Sequence, residues 1–241
     1  MIRETDNSAS MDDWDDIPVP DVSNLITEDD TPVDNQFSEM QMRLLTESLS
    51  TSWRPGIPFV AMANVGVYVA LNRPAVVPDV LVTTGVSRPP DLMRQDHRAY
   101  LTWMFDGKVP EVVIEIVSNK KGEELGRKFR EYAHIGVRWY AVFDPLQQIQ
   151  DEALAVFELT GKGYKTMDTA QFPLGPGLGL KLWEGEFEKL RGTWLRWVDG
   201  EGQLLLTGAE SAEREKQRAE TEKQRADRLA AKLRQLGVDP E

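Results

Sequence analysis

The sequence predicts an α/β protein with a mixed β-sheet, flanking helices and a long helix near its C-terminal end. Three observations predict this class. Two apolar runs within residues 58–71 suggest neighbouring strands, a strand–helix–strand pattern covers residues 111–143, and a seven-residue repeat begins at residue 212. A sheet that contains both a hairpin and a strand–helix–strand crossover has antiparallel and parallel strand pairs.

The chain has 241 residues, which suits one domain with extensions, and it contains no cysteine. Disulfides, thiolate zinc sites and cysteine nucleophiles are therefore excluded, and the composition fits a reducing cytoplasm. The first residues lack a basic and then apolar signal segment, and no run reaches the apolar length of a membrane span. We therefore expect a cytoplasmic protein without a membrane anchor.

The net charge of −12 is concentrated near the start of the chain. Residues 1–40 carry 12 acids and one base, residues 208–241 carry 8 of each, and residues 41–207 hold 20 acids and 19 bases. The acidic residues 1–35 predict a flexible or loosely docked arm, and residues 36–207 predict the folded core. The nearly neutral core argues against a strong non-specific DNA binder, but not against a nuclease whose basic groups cluster locally.

The first elements of the core follow from the spacing of apolar residues. Helical spacing predicts a helix over residues 37–51. Residues 59–63 and 67–71 are typical of two strands, and the intervening Asn64 and Gly66 predict a hairpin between them.

The next elements form the centre of the predicted sheet. A third strand covers residues 78–83, and the polar residues 87–106 predict a long loop or lobe. A buried strand over 111–117, an amphipathic helix over 122–134 and a strand over 137–143 make a crossover unit with parallel strands. Further strands are expected near residues 153–159, 164–167 and 179–182.

Two of these strands each carry one carboxylate in apolar surroundings. Asp79 follows Pro78, and Glu115 lies between Ile114 and Ile116. Burying an isolated anion is costly, and two acids on neighbouring strands repel each other unless a cation lies between them. Because Mg²⁺ prefers carboxylate and carbonyl oxygens, the leading hypothesis is a metal site formed by Asp79, Glu115 and the backbone carbonyl of Ile116. The alternative for Asp79 is a cap or turn residue at the start of its strand.

The tail repeats with a period of seven. Ala212, Ala219, Ala226 and Leu233 share one heptad position, and Leu229 and Leu236 share another. Glu215 and Glu222 stand where a coiled coil would carry apolar residues. Residues 208–241 therefore predict a long helix, and both a solvated single helix and a self-associating coiled coil remain open.

Several of these segments together resemble a known family. The resemblance is carried by Pro78 and Asp79 and by residues 113–118, 125–133 and 136–145. The pattern is similar to that of the Uma-type restriction endonucleases, which belong to the PD-(D/E)XK nuclease superfamily and are common in cyanobacteria. The tail, which ends in residues 236–240, resembles one branch of that family. The resemblance implies a restriction-endonuclease-like core over roughly residues 25–200, with Asp79 and Glu115 as metal ligands.

The chain departs from the superfamily pattern at one position. The superfamily has a lysine two residues after the second acid, and this chain has Val117 there. Lys128 matches a lysine of the family motif and is the preferred replacement, with Lys120 and Lys121 as alternatives. The alternative for Lys128 is a solvated helix residue. Glu39 on the first helix is a further candidate, which would support the metal through water or remain a solvated acid.

Two functions of different classes follow. The first is an enzyme, an endonuclease that uses Mg²⁺ or Mn²⁺ to hydrolyse DNA, with a homodimer expected because two strands require two sites. The second is a catalytically silent module on the same fold that self-associates through its C-terminal helix. Val117, the near-neutral core and the heptad tail favour the module, and the two acids favour the enzyme.

Overall fold

The structure is a computed structural model that describes residue 21 and residues 35–118 and 124–235. Almost all of the predicted acidic arm lies outside the described residues, as do residues 119–123 and 236–241. The described helices are α1 (Gln36–Ser52), α2 (Arg127–Ile135) and α3 (Gly208–Gln235). The described strands are β1 (Phe59–Ala63), β2 (Val67–Tyr68), β3 (Val80–Thr84), β4 (Tyr100–Leu101), β5 (Val112–Ile116), β6 (Trp139–Phe143), β7 (Leu154–Thr160), β8 (Gly163–Thr166), β9 (Gln171–Phe172), β10 (Leu178–Phe187) and β11 (Leu190–Asp199).

The main sheet has six strands in the order β1-β3-β5-β6-β7-β8. β5 and β6, the strands joined through α2, pair in parallel, and the other neighbours pair antiparallel. The predicted α/β class, with a mixed sheet, flanking helices and a long C-terminal helix, is therefore confirmed. Every residue of β3, β5 and β6 is buried, as expected for strands covered on both faces.

Alternate residues of β5 point to opposite faces of this sheet. Val112 and Ile114 belong to the buried cluster that α1 covers. Val113 and Val117 belong to a second cluster on the other face, where Tyr132 of α2 packs. Glu115 therefore lies on the side of the sheet that carries α2.

The predicted hairpin between β1 and β2 is wrong. β1 pairs with β3 over five residue pairs, whereas β2 is only two residues long and pairs in parallel with β4. The long buried strand β3 offers β1 more hydrogen bonds than the short β2 does. The polar stretch predicted as a loop or lobe supplies β4, so part of it is regular structure.

The helix predicted over residues 122–134 begins later, at Arg127. Residues 122 and 123 lie outside the described part of the chain, and residues 124–126 form a turn. Gly126, the residue before the helix, has φ −111° and ψ −101°, which is not helical. The helix ends at Gly136, whose φ of 92° is left-handed and whose N–H donates to the carbonyls of Tyr132 and Ala133.

A second sheet, in the order β11-β10-β9, packs against α1. Gln41 of α1 both donates to and accepts from the main chain of Leu195, at 2.8 and 2.9 Å. The Trp197 indole N–H donates to the Leu45 carbonyl at 3.0 Å. Most of β10 and all of β9 and β11 lie outside the predicted strands, so the sequence missed most of this sheet.

In the described part of the chain, the hydrogen bonds that join the 28-residue helix α3 to the core lie near its first turn. The buried Arg196 donates to both carboxylate oxygens of Glu210, at 2.9 and 2.7 Å, and the Gly208 N–H donates to Glu47 at 2.7 Å. No residue of the helix is buried. Across the described ranges, no helix combines the length and the apolar character needed to cross a membrane.

Candidate active site

Neighbouring strands bring the two predicted carboxylates together. Val80 pairs with Ile114 in the antiparallel register of β3 and β5. Continuing this register by one residue places Asp79 opposite Glu115. Residues that face each other in an antiparallel pair lie on the same side of the sheet. The Asp79 Oδ2 atom accepts a hydrogen bond of 2.6 Å from the Ile116 N–H. Asp79 therefore sits against the main chain of the strand that carries Glu115.

The Ile116 carbonyl, the third predicted ligand, lies at the same edge of β5. The N–H and the C=O of one residue in an extended strand point to the same side. Because the Ile116 N–H points to Asp79, its C=O faces that side too. Its role as a metal ligand stays a prediction.

The carboxylate of Glu115 is buried, and each of its two oxygen atoms has a hydrogen-bond partner. It is only 1% exposed. Its Oε2 atom lies 2.7 Å from the Lys128 Nζ atom, and its Oε1 atom accepts a hydrogen bond of 2.6 Å from the Tyr132 hydroxyl. Lys128 and Tyr132 are one turn apart on α2, so the same face of the helix supplies both partners.

The electrostatics of the site reflect this burial. The pKa of Glu115 is raised to about 8, first because burial disfavours the anion and second because Asp79 carries a like charge, while Lys128 and Tyr132 act in the opposite direction. Burial lowers the pKa of Lys128, but the attraction of Glu115 outweighs it and the pKa is raised overall. Lys128 thus remains a cation beside an acid that takes up a proton easily.

The position two residues after Glu115 is apolar in space as well as in sequence. Val117 is buried in the cluster that contains Val113 and Tyr132. The ammonium group near the acids comes instead from Lys128 on the crossover helix. The alternative that Lys128 is a solvated helix residue does not fit a side chain that is 22% exposed and hydrogen-bonded to a buried acid.

Among the other candidates, the one that the structure describes, Glu39, lies apart from this group. Glu39 is exposed on α1 and forms an ion pair of 3.0 Å with Arg43. α1 covers the face of the sheet opposite to the one that carries Glu115. Lys120 and Lys121 lie outside the described residues, so their roles stay predictions.

Two residues near the acids were missed by the sequence analysis of the site. Tyr132 lies within the predicted amphipathic helix, where an aromatic residue suggests packing alone, but its hydroxyl donates a hydrogen bond to Glu115. Glu124 is 8% exposed, and its Oε2 atom has no hydrogen-bond partner within the described residues. Glu124 also helps to raise the pKa of Lys128. Tyr132 stands four residues after Lys128 on α2, and this helical spacing is the signal that could have found it. Glu124 lies in the turn before the helix, where helical spacing gives no such signal.

The residues at the site fit a hard cation such as Mg²⁺. Mg²⁺ is commonly held by one or two carboxylates and keeps several waters. Asp79 and Glu115 supply two carboxylates whose mutual repulsion a cation relieves. Within the ranges that the structure describes, no group of three or more acidic, histidine or cysteine side chains converges on one point. Among the described residues, the candidate ligands are therefore the two acids and a main-chain carbonyl.

The family assignment agrees with this geometry. The family model Uma2, described as "Putative restriction endonuclease", matches residues 26–183. The chain belongs to the Uma2 family. The matched residues include Asp79, Glu115 and Lys128, and the family is consistent with PD-(D/E)XK-type nucleases. A comparison with curated proteins finds no match.

Proposed function

We propose that this Uma2 protein is a Mg²⁺-dependent endonuclease that hydrolyses phosphodiester bonds of DNA. The observation that carries the proposal is the convergence of Asp79, Glu115 and Lys128, which come from two adjacent strands and the helix that follows them. Membership of a family described as restriction endonucleases supports the same chemistry. We place the activity in the cytoplasm, which suits a chain without cysteine.

Each residue has a distinct role in this proposal. Asp79, Glu115 and the Ile116 carbonyl hold Mg²⁺ or Mn²⁺, which when bound stabilises negative charge on the scissile phosphate and makes a bound water more acidic. Lys128 keeps its charge and orients the phosphate or the attacking water as a point charge. Tyr132 fixes the Glu115 carboxylate through its hydroxyl, because its own pKa is raised well above the ordinary value and it stays protonated.

Cleavage of supercoiled plasmid in the presence of Mg²⁺ tests the proposal. We expect nicked and linear products from the wild type, and none from Asp79→Asn or Glu115→Gln. Asp168→Asn and Glu184→Gln are matched controls, because both acids are exposed. Equal cleavage by the wild type and both site variants would show that a contaminating nuclease produces the signal.

A second proposal concerns assembly. The exposed length of α3, with Leu229 at 55% and Leu233 at 38% exposure, favours self-association through this helix. In a catalytically silent module this would be the main function, and in a nuclease it would bring two sites together. Calorimetric titration with Mg²⁺ separates the two, because only the nuclease requires metal binding that depends on Asp79 and Glu115.

A further inference from the structure

A cleft with a cationic rim lies beside α2. The cavity has a volume of about 480 Å³ and separates the outer side of the helix from residues 67–76. Its apolar wall includes Val67, Val76 and Ile135. It is lined by residues that the candidate metal site does not use.

The rim of the cleft carries an excess of positive charge. Arg73, Arg127, Arg130 and His134 line it, and Glu131 is the one acid among the described lining residues. Glu131 forms an ion pair of 2.8 Å with Arg127. Of the lining arginines this leaves Arg73 and Arg130 without a carboxylate partner in the described part of the chain.

Neither of these two arginines has its charge balanced by a described carboxylate. The Arg73 Nη1 atom lies 3.0 Å from His134 Nε2, so the imidazole accepts through that nitrogen and brings no negative charge. Arg130 is exposed and has no hydrogen bond or ion pair with any described residue. By contrast, Arg43 and Arg196 each bind a glutamate. In a core that is nearly neutral, the cleft therefore concentrates unbalanced positive charge.

The same helix joins this cleft to the candidate active site. Lys128 faces Glu115, while Arg127 and Arg130 face the cleft. A helix turns about 100° and rises about 1.5 Å per residue, so the side chains of Lys128 and Arg130 leave opposite sides of α2 at nearly the same height. A nucleic acid that contacts both would therefore lie across α2, with further phosphates at the rim of the cleft.

We propose that this cleft binds the phosphate backbone of the nucleic-acid substrate beside the scissile bond, through Arg73 and Arg130. The inference rests on the proposed nuclease function and names the surface that holds the substrate. Arginine suits this role because its planar fork binds phosphate with two donors. Contacts to phosphates position a duplex without reading its sequence.

Binding of a labelled short DNA duplex in EDTA, where no metal-dependent cleavage occurs, tests the proposal. The protein carries Arg73→Gln and Arg130→Gln, together and singly, and fluorescence anisotropy is recorded between about 50 and 200 mM KCl. We expect the double variant to bind the duplex at least about tenfold more weakly than the wild type. The slope of the logarithm of the binding constant against the logarithm of the salt concentration should become less negative by about 0.9 for each phosphate that the variant no longer neutralises. Arg130→Gln breaks no hydrogen bond or ion pair within the described residues. A loss of DNA affinity in this variant therefore does not come from a change in the fold.

The control variant Arg191→Gln/Arg218→Gln removes two exposed arginines, one on β11 and one on α3. We expect its affinity to stay within about twofold of the wild type, because distant exposed charges are screened by salt. An equal loss of affinity in the control and cleft variants, no loss in either, or no binding by the wild type would overturn the inference. So would displacement of the duplex by an equal concentration of AMP or inorganic phosphate, because the cleft would then prefer a free phosphate.

The plasmid assay in Mg²⁺ reports the nuclease separately. Asp79→Asn should abolish cleavage and leave binding in EDTA intact, whereas the cleft variants should lose both. Normal cleavage and normal DNA binding by the cleft variants would contradict only the proposal that the cleft binds phosphate. If the wild type binds DNA through the cleft but does not cleave it, only the proposed nuclease activity is contradicted, and the proposed role of the cleft is supported.

Discussion

At the scale of the residue, Glu115 decides what the site can do. Its carboxylate is enclosed by the sheet and α2, and it accepts one hydrogen bond from Lys128 and one from Tyr132. Burial and the charge of Asp79 raise its pKa to about 8. A divalent cation that binds Glu115 at neutral pH would therefore displace a proton from it.

We predict that Mg²⁺ affinity depends on pH through this proton. Glu115 is deprotonated above its pKa of about 8, so affinity should be constant there and fall by about tenfold for each pH unit below it. Isothermal titration calorimetry in buffers of different ionisation enthalpy measures both the affinity and the proton released. Affinity that is independent of pH between 6 and 8 would mean that Glu115 is already ionised.

A second prediction concerns Lys128, which we propose takes the role of the lysine absent at Val117. Lys128→Met should lower the cleavage rate by about 100-fold or more, because it removes the ammonium group that touches Glu115. Lys181→Met, at an exposed position of β10, is the matched control. Wild-type cleavage by Lys128→Met would assign the role to another cation.

The sequence predicted part of this site. Asp79 and Glu115 were found because each is a single acid in an apolar strand, and Lys128 was found through the family motif. Tyr132 was missed because an aromatic residue on an amphipathic helix is most simply explained by packing. Its hydroxyl becomes informative only when the buried acid beside it is known.

At the scale of the element, local signals predicted the strands better than their partners. The crossover unit was found because β5 is apolar except for Glu115, β6 is apolar throughout, and the sequence between them is amphipathic. The predicted partner of β1 was wrong. Adjacency in sequence favoured β2, whereas pairing with the buried β3 gives a longer run of hydrogen-bonded residue pairs. The hairpin of β10 and β11 was missed for another reason. Its turn residues Glu188 and Lys189 have positive φ of 47° and 67° without the Asn-Gly signature that such turns prefer.

The end of α2 gives a prediction about stability. Gly136 has a φ of 92°, which residues with a Cβ rarely adopt, and an added Cβ would meet Val109 only at an ordinary 3.8 Å. Gly136→Ala should therefore destabilise the protein by about 1–2 kcal/mol through backbone strain alone. Urea unfolding measures this change. Gly192→Ala is the control, since its φ is not positive and its added Cβ has room, and we expect a change within about 0.5 kcal/mol. Equal effects of the two substitutions would contradict the strain argument.

At the scale of the whole molecule, the chain combines a compact core with a helix that the core does not bury. α3 is held at its first turn by Arg196 and Glu210 and is exposed beyond it. Its sequence places alanines and leucines along one side, with Glu215 and Glu222 interrupting that line. The acids weaken the apolar contact surface, so self-association should rely on the last turns, around Leu229 and Leu233.

We predict that the full chain is a dimer and that deletion of residues 212–241 makes it a monomer, as measured by sedimentation equilibrium. The deletion keeps Glu210 and so preserves its contact with Arg196. Leu229→Lys/Leu233→Lys should have the same effect without shortening the chain, because it places like charges in the contact surface. A monomeric full chain would rule out the tail as an assembly element.

The proposed function depends on Asp79 and Glu115 binding one divalent cation between them. Crystals soaked in Mn²⁺ provide the test, through the anomalous scattering of the metal. We expect one strong anomalous peak within coordination distance of both carboxylates, and no such peak in crystals of Glu115→Gln. A fully occupied peak elsewhere, with Glu115 still bound to Lys128 and Tyr132 and no metal beside it, would show that the two acids do not form the metal site.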